Sequence, residues 1–314
     1  MSGRVITVGE AIGVLRGEAL EHAASVAVGT GGAEANVAIG LSRLHVPVTW
    51  AGRVGDDGVG RRIVRDLRAE GVNVRPVIDR SAPTALLLKE RTAGDRTRVT
   101  YWRRGSAGSR IEASDVLPLL DEGQVDLLHV TGITASLGET ANEALRRIVL
   151  AAVERRIQIS FDVNHRASLW NGSDPRSTYG WFVERANIVF AGIDEVAAVV
   201  GPAQGADRAA ARLAAMGPDE VVVKLGDAGA LAYHRGERET ADAVPVTVID
   251  TVGAGDAFVA GYLSERLSGS SLKTRLATAV KTGAAVCQHA GDWEGALRRD
   301  ELAAFGDAGD PVLR

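Results

Sequence analysis

The chain is 314 residues long, 46% hydrophobic and 24% charged, with a formal net charge of −4. These are the proportions of a soluble globular protein of about two domains, or of one large α/β domain carrying a smaller element. A single cysteine, Cys287, excludes an intrachain disulfide and a cysteine-built zinc cluster and points to a cytoplasmic protein. Nothing runs basic for more than two or three residues, and the apolar run at residues 5–8 is too short for a signal core or a span, so neither nucleic acid nor a membrane is an expected partner.

Strand-like and helix-like segments alternate along most of the chain, the pattern of a mostly parallel sheet covered by helices. Residues 4–8 fit a buried first strand. Val37, Leu41 and Leu44 then fall at i, i+4 and i+7 of a helix. Asp57 can cap a second helix in which Val59, Ile63 and Leu67 share a face, and Gly71 stands where such a helix ends in the left-handed conformation. Residues 125–130, 139–155 and 157–163 form a β-α-β unit, and residues 186–190 and 220–225 repeat the theme. Two stretches, about 10–30 and 82–108, break the alternation. The second reads as a hairpin (85–89 and 98–102) turning at Ala93-Gly94-Asp95, and a small sheet built from both stretches would form a flap inserted into the first domain. Residues 306–314 read as a loosely held tail.

The segment of sharpest chemical character is Asp250-Thr251-Val252-Gly253-Ala254-Gly255-Asp256-Ala257-Phe258, placed after a strand-like run at 246–249 and before a helix that buries Phe258, Tyr262 and Leu263. The first turn of such a helix carries unpaired backbone N–H groups and the positive end of the dipole, and Gly253 and Gly255 let a phosphate approach the backbone. A carboxylate would repel that phosphate. Asp256 therefore reads either as a residue serving the helix N-terminus or as a base that accepts a proton from an attacking hydroxyl.

GTGGAEANVAIGLSRLHVPVTWAGRVGDDGVG (29–60) and DTVGAGDAFVAGYL (250–263) resemble the two signatures of ribokinase-like (PfkB) carbohydrate kinases, and the resemblance extends over nearly the whole chain. It implies a doubly wound α/β domain with an inserted β-sheet lid, transferring the γ-phosphoryl group of ATP, with Mg²⁺, to a sugar hydroxyl. A monovalent cation such as K⁺ is a further candidate cofactor, and a homo-oligomer formed through the lid a further expectation. Under this resemblance Asp256 is the general base and the backbone of Gly253, Ala254 and Gly255 the anion hole. Gly31, Gly32 and Asn36 match the sugar-binding glycine pair and asparagine, although Asn36 also fits a simple helix cap. Lys224, Gly226 and Gly229 match the nucleotide-side loop. Glu195 matches the glutamate associated with magnesium and phosphate, acting through water or phosphate, but Gly192 stands where the family's asparagine usually is.

The acceptor should be chosen by the flap and the strand ends, where Arg103 and Arg166 stand out. A guanidinium fork suits a carboxylate and is not needed by a neutral sugar, although arginines are also common on surfaces. The segments around Tyr101, Arg103 and Arg166 resemble those of 2-keto-3-deoxygluconate kinases, which makes an acid sugar phosphorylated at C6 the expected acceptor. Leu87 replaces a tyrosine found in some of those enzymes. A neutral-sugar kinase of the fructokinase or ribokinase type, and a catalytically silent sugar sensor on the same fold, are the competing readings.

Overall fold

The computed structural model describes residues 4–18, 20–92 and 96–305. The expected turn at 93–95 and the tail at 306–314 lie outside the described residues. In chain order the strands are β1 (Val5–Val8), β2 (Ile12–Gly17), β3 (Ala27–Gly31), β4 (Val48–Gly55), β5 (Asn73–Asp79), β6 (Leu86–Thr92), β7 (Arg96–Trp102), β8 (Leu127–Thr131), β9 (Gln158–Asp162), β10 (Ile188–Gly192), β11 (Glu220–Lys224), β12 (Ala230–His234) and β13 (Glu237–Ala241).

Nine of them form one sheet in the order β13-β12-β11-β10-β9-β8-β1-β4-β5. It is parallel from β5 across to β11, and only β12 and β13 are antiparallel. Strand β1 alternates its apolar side chains between two cores. Ile6 and Val8 join the core roofed by the helices Glu139–Glu154, Arg176–Val183, Ile193–Val200 and Ala206–Ala214, whereas Val5 joins the one roofed by Ala33–Arg43, Ala254–Leu267 and Leu272–Cys287. A sheet buried on both faces explains why these strands read as continuous apolar runs. The chain leaves β1 toward β4 and β5 and then returns to β8 on the other side of β1. That reversal opens a crevice beyond the carboxyl ends of the strands, where α/β folds place ligands. The second sheet, β3-β2-β6-β7, takes two strands from each of the two interrupting stretches. Among the described residues no helix is long and apolar enough to cross a membrane.

The second helix, Gly58–Ala69, is capped by Asp57 as expected, with Asp57 Oδ1 accepting from Gly60 N at 2.7 Å. Gly71 follows its end at φ +80°. The same carboxylate also accepts from Thr84 N at 2.8 Å and Thr84 Oγ1 at 2.9 Å, so it ties the helix to the entry of β6. One expectation fails. Residues 246–249 are not a strand, because β13 closes the sheet edge without them and Ile249 N donates instead to Cys287 O at 2.7 Å.

Replacing Asp57 with alanine removes the cap and leaves Thr84 N without its acceptor. It should lower unfolding free energy by about 2–3 kcal/mol in urea titrations. A loss under about 0.5 kcal/mol, the range of an ordinary surface substitution, would contradict the bridging role.

Candidate active site

Apart from Leu87, Tyr101 and Arg103, which the second sheet supplies, the functional side chains stand at or just past the carboxyl end of a parallel strand or at the start of a helix facing the crevice. Glu10 follows β1, Asn164 follows β9, Glu195 follows β10 and Lys224 ends β11. Asp256 comes from the first turn of helix Ala254–Leu267, and Asn36 from the first turn of helix Ala33–Arg43. These two helices approach closely because Gly40 lacks a side chain: a Cβ there would lie 2.6 Å from Ala260 Cβ. Gly40 and Ala260 are each one turn beyond Asn36 and Asp256, so the same contact sets the spacing of the polar pair.

Asp256 is 8% exposed and its carboxylate is held at both oxygens. Asn36 Nδ2 donates to Oδ2 at 2.8 Å and Asn164 Nδ2 to Oδ1 at 3.2 Å. Burial pushes its pKa up to about 7, against the Asn36 hydrogen bond and the attraction of Arg166 and Lys224, and the nearby Asp162 adds to the rise. A carboxylate fixed in direction and poised near neutrality suits a general base. Asn164 was not singled out in the sequence, where nothing but its place after an apolar run marked it. Its φ of +38° is the kind of conformation an asparagine tolerates and a β-branched residue resists.

Beside Asp256, Gly253 caps its helix at φ +82°, and a Cβ on it would lie 1.7 Å from the carbonyl oxygen of Asp292. No side chain fits there; Gly253 and Gly255 line the crevice, while Ala254 N donates to Thr251 O at 3.3 Å. Lys224 Nζ binds Asp162 at 2.9 and 3.0 Å and stands 3.6 Å from where a Cβ on Gly255 would be.

Two cavities meet at Lys224, Thr251 and Gly255. One, of about 520 Å³, is lined by Gly226, Gly229, Ala254 and an apolar wall that includes Val244, Val246, Val248, Phe258 and Cys287. The segment expected to be a strand thus walls this cavity instead. Gly226 and Gly229 both take positive φ, as a tight loop at a ligand requires. The other cavity, about 430 Å³, is lined by Gly32, Asn36, Leu87, Tyr101, Arg103, Arg166, Glu195, Gly253 and Asp256, and also by Glu10 and Asp292. The residues proposed from sequence are therefore brought together, with three refinements. Gly31 does not line the cavity; its missing side chain admits Asp292, whose Oδ2 would lie 2.4 Å from a Cβ there. Arg103 is already bound to a buried carboxylate that the sequence reading passed over, Glu10, through Nε at 2.9 Å and Nη2 at 2.5 Å, and it stacks on Tyr101. Glu195 accepts from the backbone amides of His165, at 2.9 Å, and Gly192, at 2.6 Å, so it fixes the loops after β9 and β10.

Among the described residues no cluster of three or more acidic, histidine or cysteine side chains could cage a metal ion.

The family model for pfkB family carbohydrate kinases matches residues 3–297. A 2-dehydro-3-deoxygalactonokinase of Haloferax volcanii is 31% identical, covering 90% of this chain and 91% of that protein. A 2-dehydro-3-deoxygluconokinase of Bacillus subtilis is 33% identical, covering 91% and 89%, and a fructokinase of Klebsiella pneumoniae is 35% identical, covering 74% and 76%. A crystal structure of a putative ribokinase II from E. coli in complex with ATP and Mg²⁺ superposes with a TM-score of 0.87 at 25% identity, over 96% of this chain and 98% of that one. The chain belongs to the pfkB family of carbohydrate kinases.

Proposed function

We propose that this sugar kinase transfers the γ-phosphoryl group of ATP to the C6 hydroxyl of an acid sugar, with 2-keto-3-deoxygluconate as the leading candidate. The observation that carries the acid-sugar reading is the guanidinium of Arg166, which lines the acceptor cavity and whose field reaches Asp256 without an ion pair to it. Arg103 is matched by Glu10, Lys224 by Asp162 and Asp292 by Lys89, whereas Arg166 faces the cavity and forms no ion pair among the described residues. A guanidinium left without a carboxylate is suited to one brought by the substrate. Arg103, held rigid by Glu10, would then offer direction more than charge. The names of the gluconate- and galactonate-derived relatives support the same reading, while the fructokinase relative keeps a neutral sugar as the competitor.

In this reading ATP lies along the apolar cavity with its triphosphate toward Gly226 and the first turn at Gly253. The sugar lies across Gly32 and Asn36, with its carboxylate at Arg166. Asp256 accepts the proton of the attacking hydroxyl as the new O–P bond forms, the amides of Gly253, Ala254 and Gly255 meet the charge on the transferring group, and Lys224 stands where donor and acceptor cavities join. Magnesium bound to the triphosphate would neutralise its charge and hold its oxygens, through phosphate and water ligands that the Glu195 loop could orient. The β2-β3-β6-β7 sheet acts as a lid that excludes water. Its exposed Val28, Val99 and Trp102 support pairing between copies through this sheet.

Replacing Asp256 with asparagine should lower kcat on the order of 10²–10⁴-fold with ATP binding retained; near-parental turnover by a folded variant would refute the base. Across a panel of acid and neutral sugars, ADP release should favour the 2-keto-3-deoxy acids. Arg166→Leu should raise the KM for the acid sugar on the order of 10–100-fold, the worth of a charged hydrogen bond. Preference for fructose or ribose, with KM indifferent to Arg166, would favour the neutral-sugar kinase. Potassium belongs in the same assay as a variable, with activation expected if a monovalent cation is a cofactor.

A further inference from the structure

Lys89 is a buried charge that the steps above do not use. It lies on lid strand β6, opposite Arg16 of β2 and Val99 of β7, and is 5% exposed. Its ammonium contacts Asp250 Oδ2 at 2.9 Å and Asp292 Oδ1 at 2.8 Å. Both carboxylates belong to segments that shape the anion hole. Asp250 Oδ1 accepts from Val252 N at 3.0 Å and so sets the turn that leads into Gly253. Asp292 supplies the backbone carbonyl pressed against Gly253. The rest of the 291–295 loop is also gripped by the lid: Trp293 Nε1 donates to Thr30 O at 2.9 Å, and Arg16 pairs with Glu294 at 3.1 Å.

We propose that Lys89 is a positioning residue for phosphoryl transfer, whose ammonium clamps the loop carrying Gly253 to the loop bracing it and so couples the seating of the lid to the shape of the anion hole. The electrostatics require a cation there. Two carboxylates meet beside the turn that must receive phosphate, and without Lys89 they would repel one another and the incoming γ-phosphoryl group, at the cost of burying unpaired charge. With it, the cluster carries a single net negative charge, and the Gly253 amides are held in place before ATP arrives, which is the condition for electrostatic stabilisation of a transition state.

The proposal rests on phosphoryl transfer at this site but not on the identity of the acceptor. The test therefore uses whichever sugar the parent enzyme phosphorylates fastest, and failure of the acid-sugar reading leaves it intact. Lys89→Met keeps the unbranched apolar stem of the side chain and removes its charge. It should lower kcat per folded molecule at least tenfold while changing the KM for ATP less than threefold. Adding Asp292→Asn to Lys89→Met, which removes the excess negative charge, should recover part of the loss. Ethylammonium should partly restore Lys89→Ala, and tetramethylammonium at equal ionic strength should not, because it is too large and has no N–H to donate. A purely structural role predicts lower melting temperatures with kcat per folded molecule within twofold of the parent and no rescue, and that result would overturn the proposal. Failure of all these variants to fold, judged by circular dichroism, would likewise assign the cluster to stability alone and overturn it.

Discussion

A carboxylate kept out of water at the first turn of a helix, where backbone amides await an anion, is the constraint around which the site is built. Burial alone would leave Asp256 protonated and useless as a base. The Asn36 amide and the charges of Arg166 and Lys224 favour the ionised form and together with burial leave it near neutrality, while Asn164 from the end of β9 holds the other oxygen. Each contact makes its own demand on the fold. Asn36 reaches Asp256 because Gly40 lets two helices nearly touch, Asn164 because β9 is central in a parallel sheet, and the amides because Gly253 takes a conformation and a closeness that no other residue would tolerate.

Several of the charges around this centre are matched locally by partners drawn from distant parts of the chain. Glu10 and Arg103 join the end of β1 to the lid, Asp162 and Lys224 join β9 to β11, and Lys89 joins the lid to the loops at 250 and 292. A net-acidic protein thereby receives a polyanion without an extended basic surface: positive charge is concentrated at a few guanidinium and ammonium groups and at one helix terminus. Pairing also keeps the buried charges affordable, since an unmatched one would cost several kcal/mol.

Much of this was legible in the amino-acid order, for identifiable reasons. The parallel sheet announces itself through apolar runs of strand length between amphipathic helices, the Asp57 cap and Gly71 stop through residue types that few other conformations favour, and the turn at 253–256, proposed to receive phosphate, through glycines just ahead of a helix. What stayed hidden depends on partners far along the chain. Glu10 looks like an ordinary acid after a strand until Arg103, 93 residues later, is placed on it. Lys89 and Asp292, 203 residues apart, carry no local mark of their contact. Gly31 reads as a sugar contact by position, but its missing side chain makes room for Asp292. The apolar run 246–249 has the composition of a strand but no vacant sheet edge to join, and its side chains wall the cavity assigned to the nucleotide.

The account stands or falls on Asp256 being a buried carboxylate that must lose its proton before the acceptor hydroxyl can attack. The most direct measurement is the pH dependence of kcat/KM for the sugar at saturating MgATP. Because the base works deprotonated and its pKa is raised, the rate should climb tenfold per pH unit on the acid side and level off above an inflection near 7. A profile that stays flat from pH 5 to 8 would contradict it.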